Sequence, residues 1–325
     1  MGKSIIGVDL GGTQIRAALM DEDGNILNRV SELTLAEEGP EAVISRIKEA
    51  IRGAAGAVDW AQVRGIGIGA PGPLDPWRGV IHKAPNLPGW HEVPLRDLIA
   101  EAFNVPTYVG NDANLAALAE RRFGAGRGVD DLIYMTISTG IGGGVIVGGE
   151  LLLGAHGLAG EIGHQTIDIN GPRCNCGNIG CLEVLAAGPA IARRAVDLIE
   201  SGAETSILEL AQGDLGRVTA ELVTRAANQG DRVAKEIIHR AGFYIGVGIV
   251  NVLHIFNPEL VIIGGGVSKA GDLLFDPIRA TVRERAMEAF VRHVRIVPAA
   301  LGDDVGLLGA AALVLQQNRP IAPSY

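Results

Sequence analysis

The only cysteines of the chain, Cys174, Cys176 and Cys181, fall within eight positions in CNCGNIGC, and His164 stands upstream with nine residues between. Three thiolates and an imidazole form a Cys3His set, the donor chemistry of a closed tetrahedral zinc site. Disulfide pairing would leave one thiol over and would strain a Cys174–Cys176 bridge. Four protein ligands leave no open position, so the expected role of zinc is scaffolding and not Lewis-acid chemistry. Glu161 in GEIGH and Glu183 in GCLE flank this knuckle. Each carboxylate can accept two sugar hydroxyls; each also reads as an ordinary solvated glutamate. A glycosidase pair is the weaker alternative, because hydrolysis by two carboxylates needs no glycine turns of the kind found elsewhere in the chain.

Those turns come in two copies about 130 residues apart, VDLGGT at Val8 to Thr13 and ISTGIGGG at Ile137 to Gly144. Each follows an apolar strand and leads into a second strand and then a turn-linked third, DEDGN or VGGE. Such an internal repeat predicts two related α/β halves, each offering a glycine turn whose backbone N–H groups can hold phosphate oxygens. Asp9 at the first strand end could hold a hydrated magnesium ion, and Thr13 adds a hydroxyl beside Gly11 and Gly12; Thr139 and Gly140 are their counterparts. A third glycine corner, Gly264-Gly265-Gly266, follows apolar VII and either faces an adenine or merely ends a strand. Asn111-Asp112 closes the strand Thr107 to Gly110. Asp112 reads as the N-cap of the helix that follows, or, at a strand terminus, as a carboxylate able to accept a sugar hydroxyl proton. Gly67 to Gly72 matches the dinucleotide G-x-G-x-x-G, but Pro71 and Pro73 prevent the helix start it needs. Gly2-Lys3-Ser4 lacks the upstream strand and glycine of a P-loop.

The elements that must position these residues are legible from periodicity. Pro40 to Gly56 predicts an amphipathic helix, Val63 to Gly69 a strand, Glu92 to Phe103 a helix, and Ala113 to about Phe123 another. Ala186 to His254 predicts a long helical stretch broken near Gly202 and Gly213. Leu260 to Ile263 and Arg295 to Pro298 read as strands, Phe275 to Ala289 as a helix, and LLGAAALVLQQ from Gly306 as a last apolar helix packing back across the first lobe. The chain length of 325 residues favours two lobes, with 47% hydrophobic residues to fill them. A formal charge of -9 without a basic cluster argues against nucleic acid and anionic membranes. With no leader and with apolar runs short of a membrane span, a soluble cytoplasmic protein with small-molecule partners is expected.

VDLGGT, GAPGPLD, NLPGW, GNDAN, STGIGGG, LAGEIGH, CNCGNIGCLE and LVIIGGGVS, in this order over nearly the whole chain, resemble the ROK family of sugar kinases and repressors. Within that family the resemblance is to bacterial-type glucokinases. It implies an α/β, actin-like (ribonuclease H-like) ATPase fold with two lobes around a central cleft and a structural zinc knuckle. The lobes would comprise residues 1–115, with the helix 305–325 packed on them, and residues 116–304. It further implies that Asp112 takes the proton from the 6-hydroxyl of glucose, and that Gly72, Asn86, Asn111, Glu161, His164 and Glu183 hold the sugar. His164 would offer one ring nitrogen to zinc, with Cys174, Cys176 and Cys181, and the other to the sugar. ATP and Mg2+ would be held by Asp9, Gly11, Gly12, Thr13, Thr139 and Gly140, with Gly264 and Gly265 nearer the adenosine.

By the same resemblance a homodimer or homotetramer is expected. Other hexoses or N-acetylhexosamines (fructose, allose, mannose, N-acetylmannosamine) remain alternative acceptors, as does a non-catalytic sugar-sensing role. Many relatives carry Lys after GGT where this chain has Gln14, which removes a cation from that side of the turn. Repressor members place a DNA-binding helix-turn-helix ahead of the first glycine turn. Here that turn begins nine residues in, so no repression is expected.

Overall fold

The structure, a computed structural model, describes residues 3–84 and 86–316. Strands β1 (Ser4–Leu10), β2 (Gln14–Met20) and β3 (Ile26–Leu33) form an antiparallel meander, with Asp9 opposite Arg16. Helix α1 (Pro40–Ala55) opens with proline, whose fixed φ suits the first turn, and buries Val43, Ile47 and Ile51 at the expected spacing. Next come β4 (Val63–Ala70) and three short strands, β5 (Leu74–Asp75), β6 (Val80–Lys83) and β7 (His91–Val93), which form a small antiparallel sheet of their own. Helix α2 (Leu95–Phe103) starts three residues after the expected Glu92, because Pro94 keeps the residue before it extended. It is followed by β8 (Thr107–Asn111) and α3 (Asp112–Phe123).

Strands β9 (Leu132–Ile137), β10 (Ile141–Val147) and β11 (Glu150–Leu151) repeat the opening meander. The helical stretch begins at α4 (Leu182–Ala186) and α5 (Gly188–Glu200), and continues as the one-turn α6 (Ile207–Leu210), α7 (Ala220–Asn228) and α8 (Arg232–Phe256). Besides the expected interruptions it breaks at Gly230, which takes a φ of 101° that few other residues adopt. Strand β12 (Leu260–Gly264) leads to α9 (Asp272–Arg285), which lies a few residues upstream of the expected Phe275 to Ala289. One-turn α10 (Glu288–Val291), β13 (Arg295–Pro298) and α11 (Val305–Gln316) complete the order. The end of the expected last helix, and Met1 and Gly2, lie outside the described residues.

Two compact units result. One takes the described residues up to Asp130, Gly144–Ala159 and those from Ala300 onward; the other takes Asp131–Gly143 and Gly160–Ala299. The main sheet of the first has the order β3-β2-β1-β4-β8. Its parallel strands β1, β4 and β8 end level, Asp9 opposite Gly69 and Ala70 opposite Asn111. Apolar α11 lies directly on this sheet because β1 and β4 present glycines to it. A Cβ on Gly7 would stand 2.6 Å from Leu307 O, and one on Gly67 would stand 1.9 Å from Ala310 O. Gly67, the first glycine of the G-x-G-x-x-G match, thus serves close packing of a helix on a strand, where Leu307 and Leu308 are buried at about 1.5–3 kcal/mol each.

The second sheet has the order β11-β10-β9-β12-β13. By length and composition alone α8 could cross a membrane, beyond the short apolar runs read from sequence. In the fold it is packed by α4, α7 and α9, with Ile237, Ile238, Ile245, Ile249 and Leu253 buried. Asp231 caps it, accepting from Ala234 N at 2.9 Å with one oxygen and from Ser206 N at 2.6 Å and Thr205 Oγ1 at 2.8 Å with the other. Burial opposes ionisation of Asp231, but these hydrogen bonds outweigh it and hold the carboxyl well below its ordinary range, to about 2. A pKa depressed on folding stabilises above the unfolded value near 4 and is lost as pH falls toward 2. Asp231→Ala is therefore expected to cost about 1–2 kcal/mol at neutral pH and much less at pH 2, as read by urea unfolding at the two pH values.

Candidate active site

In the first unit, the level ends of β1, β4 and β8 bring the expected residues to one edge of the sheet. Asp9 is the next-to-last residue of β1, and Asn111 ends β8 two strands away, about 10 Å at ordinary strand spacing. Between β1 and β2 the turn closes through Gly11 N to Gln14 O at 2.9 Å, and Thr34 Oγ1 donates to Gly11 O at 2.7 Å. Exposed Asn86 lies against this turn, since a Cβ on Gly12 would stand 2.8 Å from the Asn86 Cβ. A Cβ on Gly72 would likewise stand 3.3 Å from Asn111 Nδ2. Gln14 opens β2 in an exposed position.

Two features of this edge were not read from the sequence. Arg16 forms an ion pair with Asp9 Oδ2 and also donates to Asp303 O at 2.7 Å. Gly306, at the start of α11, lets the chain pass the Asp9 carboxyl, since a Cβ there would stand 2.6 Å from Asp9 Cγ. Arg16 lies opposite Asp9 in the hairpin register, whereas nothing local links Asp9 to residue 306. The structure also corrects the cap of α3. Asn111 is the N-cap, its Oδ1 accepting from Ala113 N at 3.0 Å and Asn114 N at 3.2 Å. Asp112 is instead the first helical residue, exposed, with Oδ1 2.7 Å from Ala113 N.

The second unit builds the metal set. The ligand atoms of His164, Cys174, Cys176 and Cys181 all lie within 4.8 Å of one another. Cys176 Sγ is 3.7 Å from Cys181 Sγ, and Cys174 Sγ is 3.7 Å from His164 Nδ1. With Zn–S bonds of about 2.3 Å, a tetrahedral ion puts its sulfur ligands about 3.7 Å apart, so the four side chains fit zinc. Burial pushes the Cys181 thiol up to about 12, while the backbone N–H of Asn178 draws exposed Cys176 down. A cation among the sulfurs is what would make the buried thiolate stable. The other ring nitrogen of His164, Nε2, faces Glu161 Oε2 at 3.9 Å, and Glu161 is largely exposed. Glu183, on the first turn of α4 just after Cys181, accepts the N–H of Ile141 at 2.9 Å.

Beside the second glycine turn lies a cavity of about 830 Å³. It is lined by Ser138 and Thr139, by the first turns of α5 (Gly188, Pro189) and α7 (Thr219, Glu221), and by Gly266, Val267 and Lys269. The volume is in the range of small-molecule sites. Gly264 and Gly265 pack behind this lining. A Cβ on Gly264 would stand 2.5 Å from Tyr134 OH, and Gly265, at a φ of 86°, would meet Ile137 O at 2.4 Å. The α5 and α7 residues carry no motif; their part in the cavity comes from packing alone.

A duplicated glycine-turn α/β fold with a Cys3His knuckle and a cavity at the second turn is that of a nucleotide-handling protein. The model of the ROK family matches residues 5–317, and the chain belongs to that family and has its mixed α/β, actin-like ATPase fold. It is 42% identical to the glucokinase of Thermotoga maritima over 96% of this chain and 98% of that protein. To a putative xylose repressor of Caldicellulosiruptor it is 37% identical, over 96% of this chain and 78% of the repressor. Among solved structures, a ROK family glucokinase from Streptomyces griseus in complex with glucose and AMPPNP is similar, with a TM-score of 0.83 and 38% identity over 96% of this chain and 99% of that one.

Proposed function

We propose that the chain is an ATP-dependent sugar kinase that phosphorylates glucose on its 6-hydroxyl. The observation that carries this reading is the level edge of β1, β4 and β8, which sets Asn111-Asp112 two strands from a glycine turn and Asp9. The 42% identity to a glucokinase and the likeness to a glucokinase structure holding glucose and AMPPNP support it.

In this reading Asp112 takes the proton of the 6-hydroxyl. The oxygen attacks the terminal phosphorus of ATP, and the bond to the ADP oxygen breaks. Gly72, Asn86, Asn111, Glu161, His164 and Glu183 bind and orient the sugar. Gly11, Gly12, Thr13, Thr139 and Gly140 hold the phosphates through backbone N–H groups and hydroxyls, and the 830 Å³ cavity, with Gly264 and Gly265 behind its wall, takes the adenosine. Arg16 occupies Oδ2 of Asp9, so a magnesium ion would be held through the other oxygen. When bound, magnesium neutralises phosphate charge during transfer. A zinc ion held by His164 Nδ1 and the three thiolates would fix the ring and leave Nε2, on the side of Glu161, free for a sugar hydroxyl.

A sugar-sensing role without turnover is the second reading, favoured by the 37% identity to a putative xylose repressor. A coupled assay with ATP across glucose, mannose, fructose, allose, N-acetylmannosamine and xylose separates the two. Glucose is expected to give the highest kcat/KM. Binding of a sugar without ADP release would establish the sensor, and a better rate with another sugar would replace glucose.

A further inference from the structure

The second glycine turn is gripped from both sides by the segment that follows the knuckle. Glu183 Oε2 accepts the N–H of Ile141, the residue directly after Thr139-Gly140, at 2.9 Å. A Cβ on Gly140 would stand 2.5 Å from the same oxygen, so only glycine lets the carboxylate reach the turn. From the other side Gly188 donates its N–H to Ser138 O at 2.8 Å, and Ser138 N closes the turn on Gly140 O at 2.9 Å. Ser138, Thr139 and Gly188 also line the 830 Å³ cavity.

From this geometry we infer that Glu183 is a positioning residue for the nucleotide as well as a ligand of the sugar: one oxygen fixes the second phosphate turn while the other accepts a sugar hydroxyl. The inference rests on the proposed roles of that turn and of Glu183. A carboxylate has acceptor capacity for both partners, and a charge-assisted bond to a backbone N–H is about twice as strong as a neutral one. A hydroxyl donated to Oε1 restrains the carboxylate and, through Oε2, the turn. Sugar binding therefore raises nucleotide affinity, and by linkage nucleotide raises sugar affinity by the same factor.

Calorimetric titration of AMPPNP with Mg2+ into the zinc-loaded protein, with and without glucose, tests this with Glu183→Ala and Glu183→Gln. Alanine removes the acceptor for Ile141 N–H and is expected to weaken nucleotide binding about 10-fold even without sugar. Glutamine keeps one acceptor oxygen, so it should restore nucleotide affinity to near wild type while glucose binding stays weakened about 10-fold and the coupling between the two is lost. A purely structural role would not separate the substrates in this way. Unchanged nucleotide affinity in a folded alanine variant would overturn the inference, and so would a glutamine variant that loses nucleotide affinity, which decides the matter if alanine does not fold. Should wild type bind nucleotide and show the alanine–glutamine split in nucleotide affinity yet ignore glucose, the grip of Glu183 on the phosphate turn stands, while its coupling to glucose and glucose as acceptor both fall.

Discussion

Asp112→Asn is expected to lower turnover of glucose with ATP by at least ~100-fold, the usual scale for loss of a general base, while glucose affinity stays within about 3-fold of wild type. The helix cap is why fold and chemistry separate at this position. Asn111, not Asp112, caps α3 through its bonds to Ala113 N and Asn114 N, so the substitution leaves the cap in place. The introduced amide matches the carboxylate in size and can still accept a hydrogen bond from the sugar, but it cannot take up the proton. The checks are steady-state kinetics beside calorimetric glucose binding and a thermal unfolding midpoint. Near-normal turnover in a folded variant would remove Asp112 from the chemistry and return it to an ordinary first-turn helix residue.

The second large effect concerns the knuckle. One zinc per chain is expected by elemental analysis, and Cys176→Ser should abolish it and raise the glucose KM by about 10-fold or more. The Cys176 and Cys181 sulfurs, 3.7 Å apart, would close the loop over an ion, while His164 and Glu183 depend on the same few residues for their position. Without the ion, the imidazole loses the bond that selects its free nitrogen, and α4 loses the anchor at Cys181, its N-cap position. Because Glu183 also holds the second glycine turn, the KM for ATP should rise as well. Wild-type protein free of zinc yet fully active would dispose of the metal's role. A variant with normal glucose KM after zinc loss would show that packing alone fixes His164.

Much of the fold was legible because its elements are local. The 3.6-residue spacing of Val43, Ile47 and Ile51 fixes α1, and the two apolar strands with their glycine turns announce the repeated meanders. Boundaries went astray where a single backbone property overrode the pattern. Pro94 delayed α2, and Gly230 split a stretch whose apolar period ran through it. At the start of α3 the expected cap, Asp112, lies one residue too late, and only the backbone geometry distinguishes Asn111, still extended, from Asp112, already helical. The three strands of the small sheet are too short, at two to four residues, for alternation to register.

The sequence by itself determined the metal donor set, because zinc ligands in a knuckle are close in the chain and few residue types can serve. It also determined the two glycine turns and the strand-end carboxylates, which are fixed by neighbours within a few residues. Tertiary structure alone decided which groups from distant segments meet. It set Gly306 against Asp9, brought the N-termini of α5 and α7 to one cavity with Gly266, and tied Glu183 to Ile141. Such contacts join positions up to about 300 residues apart through close packing, and packing depends on shape across elements, for which no spacing along one strand or helix carries a signal.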